Sequence, residues 1–128
     1  MFLCISGSYV SLGCWNDSGV HALPVLEHSD AQLDDFYKSR SDPLRKCGEV
    51  ARKRGYTVFA LQRGGMCFGG PRAEIDYRKY GMSRRCRDGL GGTYANSVYR
   101  LLGKLKPLLF TYLIEKFNTS WDGYQYIM

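Results

Sequence analysis

Gly55-Tyr56-Thr57-Val58-Phe59-Ala60-Leu61-Gln62 is the stretch whose reading decides the fold. It is a β-branched and aromatic run set after a glycine, and its apolarity is nearly continuous rather than alternating. A strand buried on both faces reads this way, so the run is expected to be the central strand of a sheet. Just upstream, Ser41 or Asp42 offers an N-cap, Pro43 suits the first helical position, and Gly55 follows Arg52-Lys53-Arg54 as a stop. These signals predict a helix over residues 43–54. Leu44, Cys47, Val50 and Ala51 make its inward stripe, while Arg45, Lys46, Glu49, Arg52 and Lys53 stay in water.

Working outward, residues 64–70 read as a glycine-rich turn, and Cys67 beyond the strand reaches back to Cys47 on the buried helix face. Residues 73–80 suggest a second short helix. Arg84-Arg85-Cys86-Arg87-Asp88-Gly89-Leu90-Gly91-Gly92 is a loop, and residues 95–101 read as a closing strand. On the other side, residues 9–12 alternate as a first strand and run into turn formers over 13–19. Residues 20–35 read as an irregular loop with one short helical turn. If the closing strand pairs with the first, Cys14 and Cys86 meet and seal the module. This is one of three pairings that four cysteines allow.

The five cysteines, Cys4, Cys14, Cys47, Cys67 and Cys86, include no Cys-x-x-Cys pair. That spacing favours disulfides over a structural zinc site, with free thiols or a zinc-stabilised domain in a cytosolic protein as the competing readings. Asn16-Asp17-Ser18 and Asn118-Thr119-Ser120 fit the N-glycosylation pattern, which has meaning only in a secreted chain. An extracellular or secreted location is therefore expected. Residues 1–8 lack a basic n-region and make a poor signal peptide, so they read as a leader remnant or linker. Cys4 is left to be lost with a leader, to pair between chains or to stay free. Residues 102–128 form a separate tail with a dense apolar series broken by Pro107, read as an amphipathic helix, a linker or a partner-binding helix. Its uncharged run, residues 107–114, is too short to cross a bilayer, which takes about 20 apolar residues.

A family resemblance enters with the order of these pieces. Gly13-Cys14-Trp15-Asn16-Asp17, Ala22-Leu23-Pro24, Cys47 on a helix, and the strand 55–62 followed by Gly65 and Cys67 resemble the WSC-like cysteine-rich modules. The likeness continues through Tyr77-Arg78-Lys79-Tyr80-Gly81, Cys86, Gly91-Gly92 and Asn96-Ser97-Val98-Tyr99, and covers roughly residues 9–101. Such modules carry more cysteines and a closing Cys-x-Cys-Gly, where this chain has Cys67-Phe68-Gly69, so it resembles a two-disulfide relative. The resemblance implies an α+β module, PAN- and apple-like in plan, with one main helix across a small antiparallel sheet and a helix-to-strand disulfide. It also implies an extracellular carbohydrate-binding or adhesion role, or a protein–protein interaction module of a multidomain secreted protein.

The chemistry agrees with binding rather than catalysis. His21 and His28 stand in a loop without a metal motif or an aligned nucleophile, so no catalytic residue, metal ligand or cofactor is expected. A sugar site needs an aromatic face and planar polar groups. Trp15, Asn16 and Asp17 in one loop, with Tyr94 and Asn96 beside the glycine-rich loop, supply both residue types. The competing roles are a Trp15 ring packed on the disulfide and an Asp17 carboxylate capping its turn. The net charge is +6, concentrated between Lys38 and Arg87. Arg52-Lys53-Arg54, with Arg84, Arg85 and Arg87, offers a basic face for sulfated glycans, since guanidinium pairs bidentately with sulfate oxygens. Nucleic acid is not expected, because no reader motif accompanies the charge.

Overall fold

The computed structural model describes residues 8–103. It is an α+β fold built on a four-stranded antiparallel sheet of order β1-β4-β2-β3. The elements run β1 (Tyr9–Asn16), α1 (Pro43–Lys53), β2 (Val58–Gln62), β3 (Met66–Gly69), α2 (Ala73–Asp76) and β4 (Ala95–Leu101). Two 3-10 turns, Ala31–Leu33 and Tyr37–Ser39, punctuate the long loop before α1.

All five residues of β2 are buried, and their alternation explains why the run lacks polar residues until its end. Phe59 and Leu61 face α1 in a cluster with Leu26, Leu33, Cys47, Val50, Ala51 and Tyr99. Val58 and Ala60 point the other way, into Leu23, Phe68, Ala73, Tyr77 and Val98. The central strand thus joins two apolar layers, and burying either layer without the other would leave half its side chains in water.

Helix α1 presents Cys47, Gly48, Val50 and Ala51 inward, as its spacing requires. Its start differs from the expected cap. Asp42 lies in the left-handed region with φ 53° and makes no side-chain cap; its carboxylate instead accepts from Arg45 Nε at 2.6 Å. The end follows the glycine rule. Gly55 sits at φ 78°, Gly55 N donates to Arg52 O at 3.0 Å, and Tyr56 N donates to Ala51 O at 2.9 Å, which is the Schellman arrangement.

Residues 66–69 form a strand where a turn was expected. The chain reverses over residues 63–65 and pairs β3 with β2 in register from Gln62↔Met66 to Phe59↔Gly69. The glycines after Cys67 serve packing rather than turning. A Cβ at Gly69 would lie 3.1 Å from Leu26 Cδ1, and one at Gly70 would lie 2.8 Å from Pro24 Cδ. Strand β1 also runs further than residues 9–12. Gly13, at φ 99°, absorbs a bulge between Ser11 and Gly13, and pairing with β4 then continues to Asn16↔Ala95. Helix α2 is shorter than residues 73–80, ending at Asp76, with Tyr77 tucked into the second core layer.

Two disulfides staple the fold. Cys47–Cys67 joins α1 to β3, and Cys14–Cys86 joins β1 to the loop before β4. All four cysteines of the described residues are therefore spent and are not available as thiolate ligands. No helix among the described residues is long and apolar enough to cross a membrane. Cys4, Asn118 and the apolar series of the tail lie outside the described residues.

Candidate anion-binding groove

The loop from Ser83 to Tyr94 is held by its backbone rather than by a core of its own. Gly64 N donates to Leu90 O at 2.9 Å, Arg87 N to Gly91 O at 3.1 Å and Leu90 N to Arg87 O at 2.9 Å. At Gly91, φ is 78° and an added Cβ would overlap the Leu61 carbonyl, so only glycine lets the loop lie this close to β2. Cys86 fixes the middle of the loop to β1. Between this loop, the β2–β3 turn and the second 3-10 turn lies an open groove of about 770 Å³.

Its charged lining is Lys38, Arg63, Arg84, Arg85, Arg87 and a single acid, Asp88. Elsewhere several cations are paired with carboxylates. Arg40 is clamped by Glu27 at 2.7 Å and Asp35 at 2.8 Å, Arg45 by Asp42 and Glu49, Lys53 by Asp30, and Arg100 by Glu74. In the groove, the side chains of Lys38, Arg84 and Arg87 have no such partner among the described residues. Arg85 is held by neutral oxygens only, donating to Thr93 O, Tyr94 O and Asn16 Oδ1, each at 3.2 Å. Its position is fixed while its charge stays uncompensated. The Arg63 guanidinium lies 5.1 Å from the centre of the Tyr94 ring. Uncompensated like charges around a concavity focus a positive potential into it.

Trp15 and Asn16 lie at the end of β1 rather than in a loop, pairing with Asn96 and Ala95 of β4, and with Asp17 and Tyr94 just beyond the strands these residues are brought close together, but with different exposures. Asp17 and Asn96 are buried. Gln62 Nε2 bridges them, donating to Asp17 Oδ2 at 2.8 Å and Asn96 Oδ1 at 2.9 Å. Asp17 also accepts from Ala22 N at 2.8 Å and contacts His21 Nδ1 at 2.6 Å. Burial pushes the Asp17 pKa up, but hydrogen bonds from Ala22, His21, Gln62 and Ser18 outweigh it and hold the carboxyl below the usual range. Neither Asp17 nor Asn96 presents polar atoms to a ligand. Trp15 is half-buried, donating Nε1–H to Leu12 O at 2.8 Å and meeting the Tyr77 ring edge-on. Asn16 donates through Nδ2 to Tyr80 O at 3.3 Å and Met82 O at 2.8 Å, the nitrogen that glycosylation would modify.

Of the remaining named positions, Arg85 lines the groove; Tyr94 follows the lining residue Thr93 and meets the lining residue Arg63, whereas Tyr94, Arg52 and Arg54 are not themselves among the lining residues. Arg54 donates to Ser29 O at 2.6 Å. Sequence reasoning missed Lys38 and Arg63. Arg63 had a signal, since it precedes two glycines at the end of a strong strand; Lys38 had none.

Fold and groove together define a small, disulfide-stapled α+β module with a cationic recess at one end of its sheet. Comparison with protein-family models, curated proteins and solved structures finds no match for this chain.

Proposed function

We propose that this chain is an extracellular carbohydrate-binding module, WSC-like in its cysteine and strand pattern, that binds an acidic glycan in the cationic groove without catalysis. The observation that carries this reading is the convergence of Lys38, Arg63, Arg84, Arg85 and Arg87 on one groove with a single acid, Asp88, and with no carboxylate paired to Lys38, Arg84, Arg85 or Arg87 among the described residues. Sulfate and carboxylate groups of a sugar chain have the bidentate geometry that guanidinium groups match. The two disulfides fit an oxidising compartment.

The test is calorimetric titration of the folded chain with neutral and sulfated oligosaccharides at several salt concentrations. Binding to sulfated sugars that weakens as salt rises is expected, because exposed charges are screened over about 10 Å at 0.1 M. Arg84→Ala and Arg87→Ala should each weaken it about tenfold, the equivalent of one charge-assisted hydrogen bond. Silence toward neutral and sulfated sugars alike overturns the reading and leaves a protein-interaction module.

A further inference from the structure

The turn that closes the groove carries an amino acid its geometry does not favour. Gly92 and Ala95 close a two-residue turn, with Gly92 N donating to Ala95 O at 2.9 Å and Ala95 N to Gly92 O at 3.2 Å. Its second central residue, Tyr94, has φ 49°. Glycine or asparagine suits such a position, and a bulky aromatic residue there is an outlier. The backbone of Tyr94 is used structurally, since its carbonyl accepts from Asp17 N at 2.9 Å and from Arg85. Any residue would supply that carbonyl. The residue is 40% exposed, belongs to neither core layer, and its ring lies against the guanidinium of Arg63. Arg63 is itself left-handed, at φ 55°, and lines the groove. Arg63 on the groove wall and the partly exposed aromatic side chain of Tyr94 against it, next in sequence to the lining residue Thr93, thus both stand on left-handed backbone without serving the core. Strain of this kind, maintained where packing gains nothing, points to ligand contact.

Resting on the acidic-glycan reading, we infer that Tyr94, steadied by Arg63, is a sugar-stacking subsite that makes the groove select sulfated sugar rings over bare polyanions. The ring takes the apolar face of a pyranose, while the sulfate on that sugar lies among Arg84, Arg85 and Arg87. Charge alone attracts any polyanion; the aromatic face adds a contact that only a ring can use.

The experiment compares the wild-type chain with Tyr94→Asn and Tyr94→Phe. Each is titrated with dextran sulfate, a sulfated sugar polymer, and with polyvinyl sulfate, which carries the same anion on a ringless chain. Thermal midpoints are measured alongside. Tyr94→Asn should bind dextran sulfate about tenfold more weakly and polyvinyl sulfate within about twofold of wild type. Its midpoint should stay within about 3 °C, because relief of the left-handed strain offsets the lost Arg63 contact. Tyr94→Phe, which keeps the ring, should retain the wild-type preference. Equal weakening toward both polymers would show that the ring only positions Arg63 and would overturn the inference. A larger fall in the thermal midpoint would assign Tyr94 to the fold instead. Wild-type silence toward both polymers removes the groove reading itself and this inference with it. Tight wild-type binding to both without preference removes the inference alone.

Discussion

Asp17 shows how one buried side chain organises the end of the sheet beside the groove. Its two oxygens accept from a backbone amide and from Gln62, and they touch His21, so the carboxylate is stabilised in its charged form inside the protein. The sign of the pH effect follows. A carboxyl held below its unfolded pKa, near 3.8, contributes stability at pH values above 3.8 that is lost as pH falls through the lower folded value. Thermal midpoints between pH 5 and pH 2.5 should therefore fall more steeply for wild type than for Asp17→Asn. At neutral pH, Asp17→Asn should cost about 2 kcal/mol in a urea titration, since charge-assisted hydrogen bonds become neutral or clashing ones. Equal acid sensitivity in the two proteins would mean that folding does not lower the Asp17 pKa. Asp17 and Asn96 were visible in the sequence as polar residues near turns. Their burial was not, because it depends on Gln62, the last residue of a strand whose partners lie far away along the chain.

At the level of elements, β2, α1 and β4 were legible because each owes its form to local signals. β2 has uninterrupted apolarity, α1 has a proline start and a glycine stop, and β4 follows a glycine-rich loop with the run Val98-Tyr99-Arg100-Leu101. β3 was not legible, because Gly69 and Gly70 resemble turn residues, and the reason they are glycines lies in another segment. Pro24 and Leu26 pack onto them from the loop before α1, and Gly69 N donates to Pro24 O at 2.9 Å. Gly70→Ala should therefore destabilise the protein by about 1–3 kcal/mol, since the rigid Pro24 ring cannot yield to a Cβ built 2.8 Å away. Gly19→Ala is the matched control: nothing lies within 4 Å of its Cβ position, and the change should stay within about 0.5 kcal/mol of wild type. Denaturation midpoints at constant slope check both. If Gly70→Ala is as silent as Gly19→Ala, the loop is not seated on β3 as described.

Across the whole molecule, the first and last strands of the module are neighbours, and this explains both what holds the groove and why the sequence hid it. Lys38, Arg63 and the arginines of residues 84–87 come from separate loops and meet only after β1 pairs with β4 and β2 pairs with β3. No local pattern could announce that meeting. The disulfides divide their work accordingly. Cys14–Cys86 spans 72 residues and should restrict the unfolded chain by about 4 kcal/mol, against about 3 kcal/mol for the 20-residue span of Cys47–Cys67. Cys86 also lies in the groove wall between Arg85 and Arg87, whereas Cys47 and Cys67 lie in the core beneath α1. The two staples should then separate stability from binding. Cys14→Ser with Cys86→Ser should lower both the denaturation midpoint and the affinity for sulfated glycan, because the arginine loop loses its anchor to β1. Cys47→Ala with Cys67→Ala should lower the midpoint while leaving affinity near wild type at temperatures where the variant is folded. Titrations of both variants under folded conditions decide the matter. If affinity survives loss of Cys14–Cys86, the loop's backbone bonds to Gly64 and within itself suffice to position the arginines, and the bridge serves stability alone.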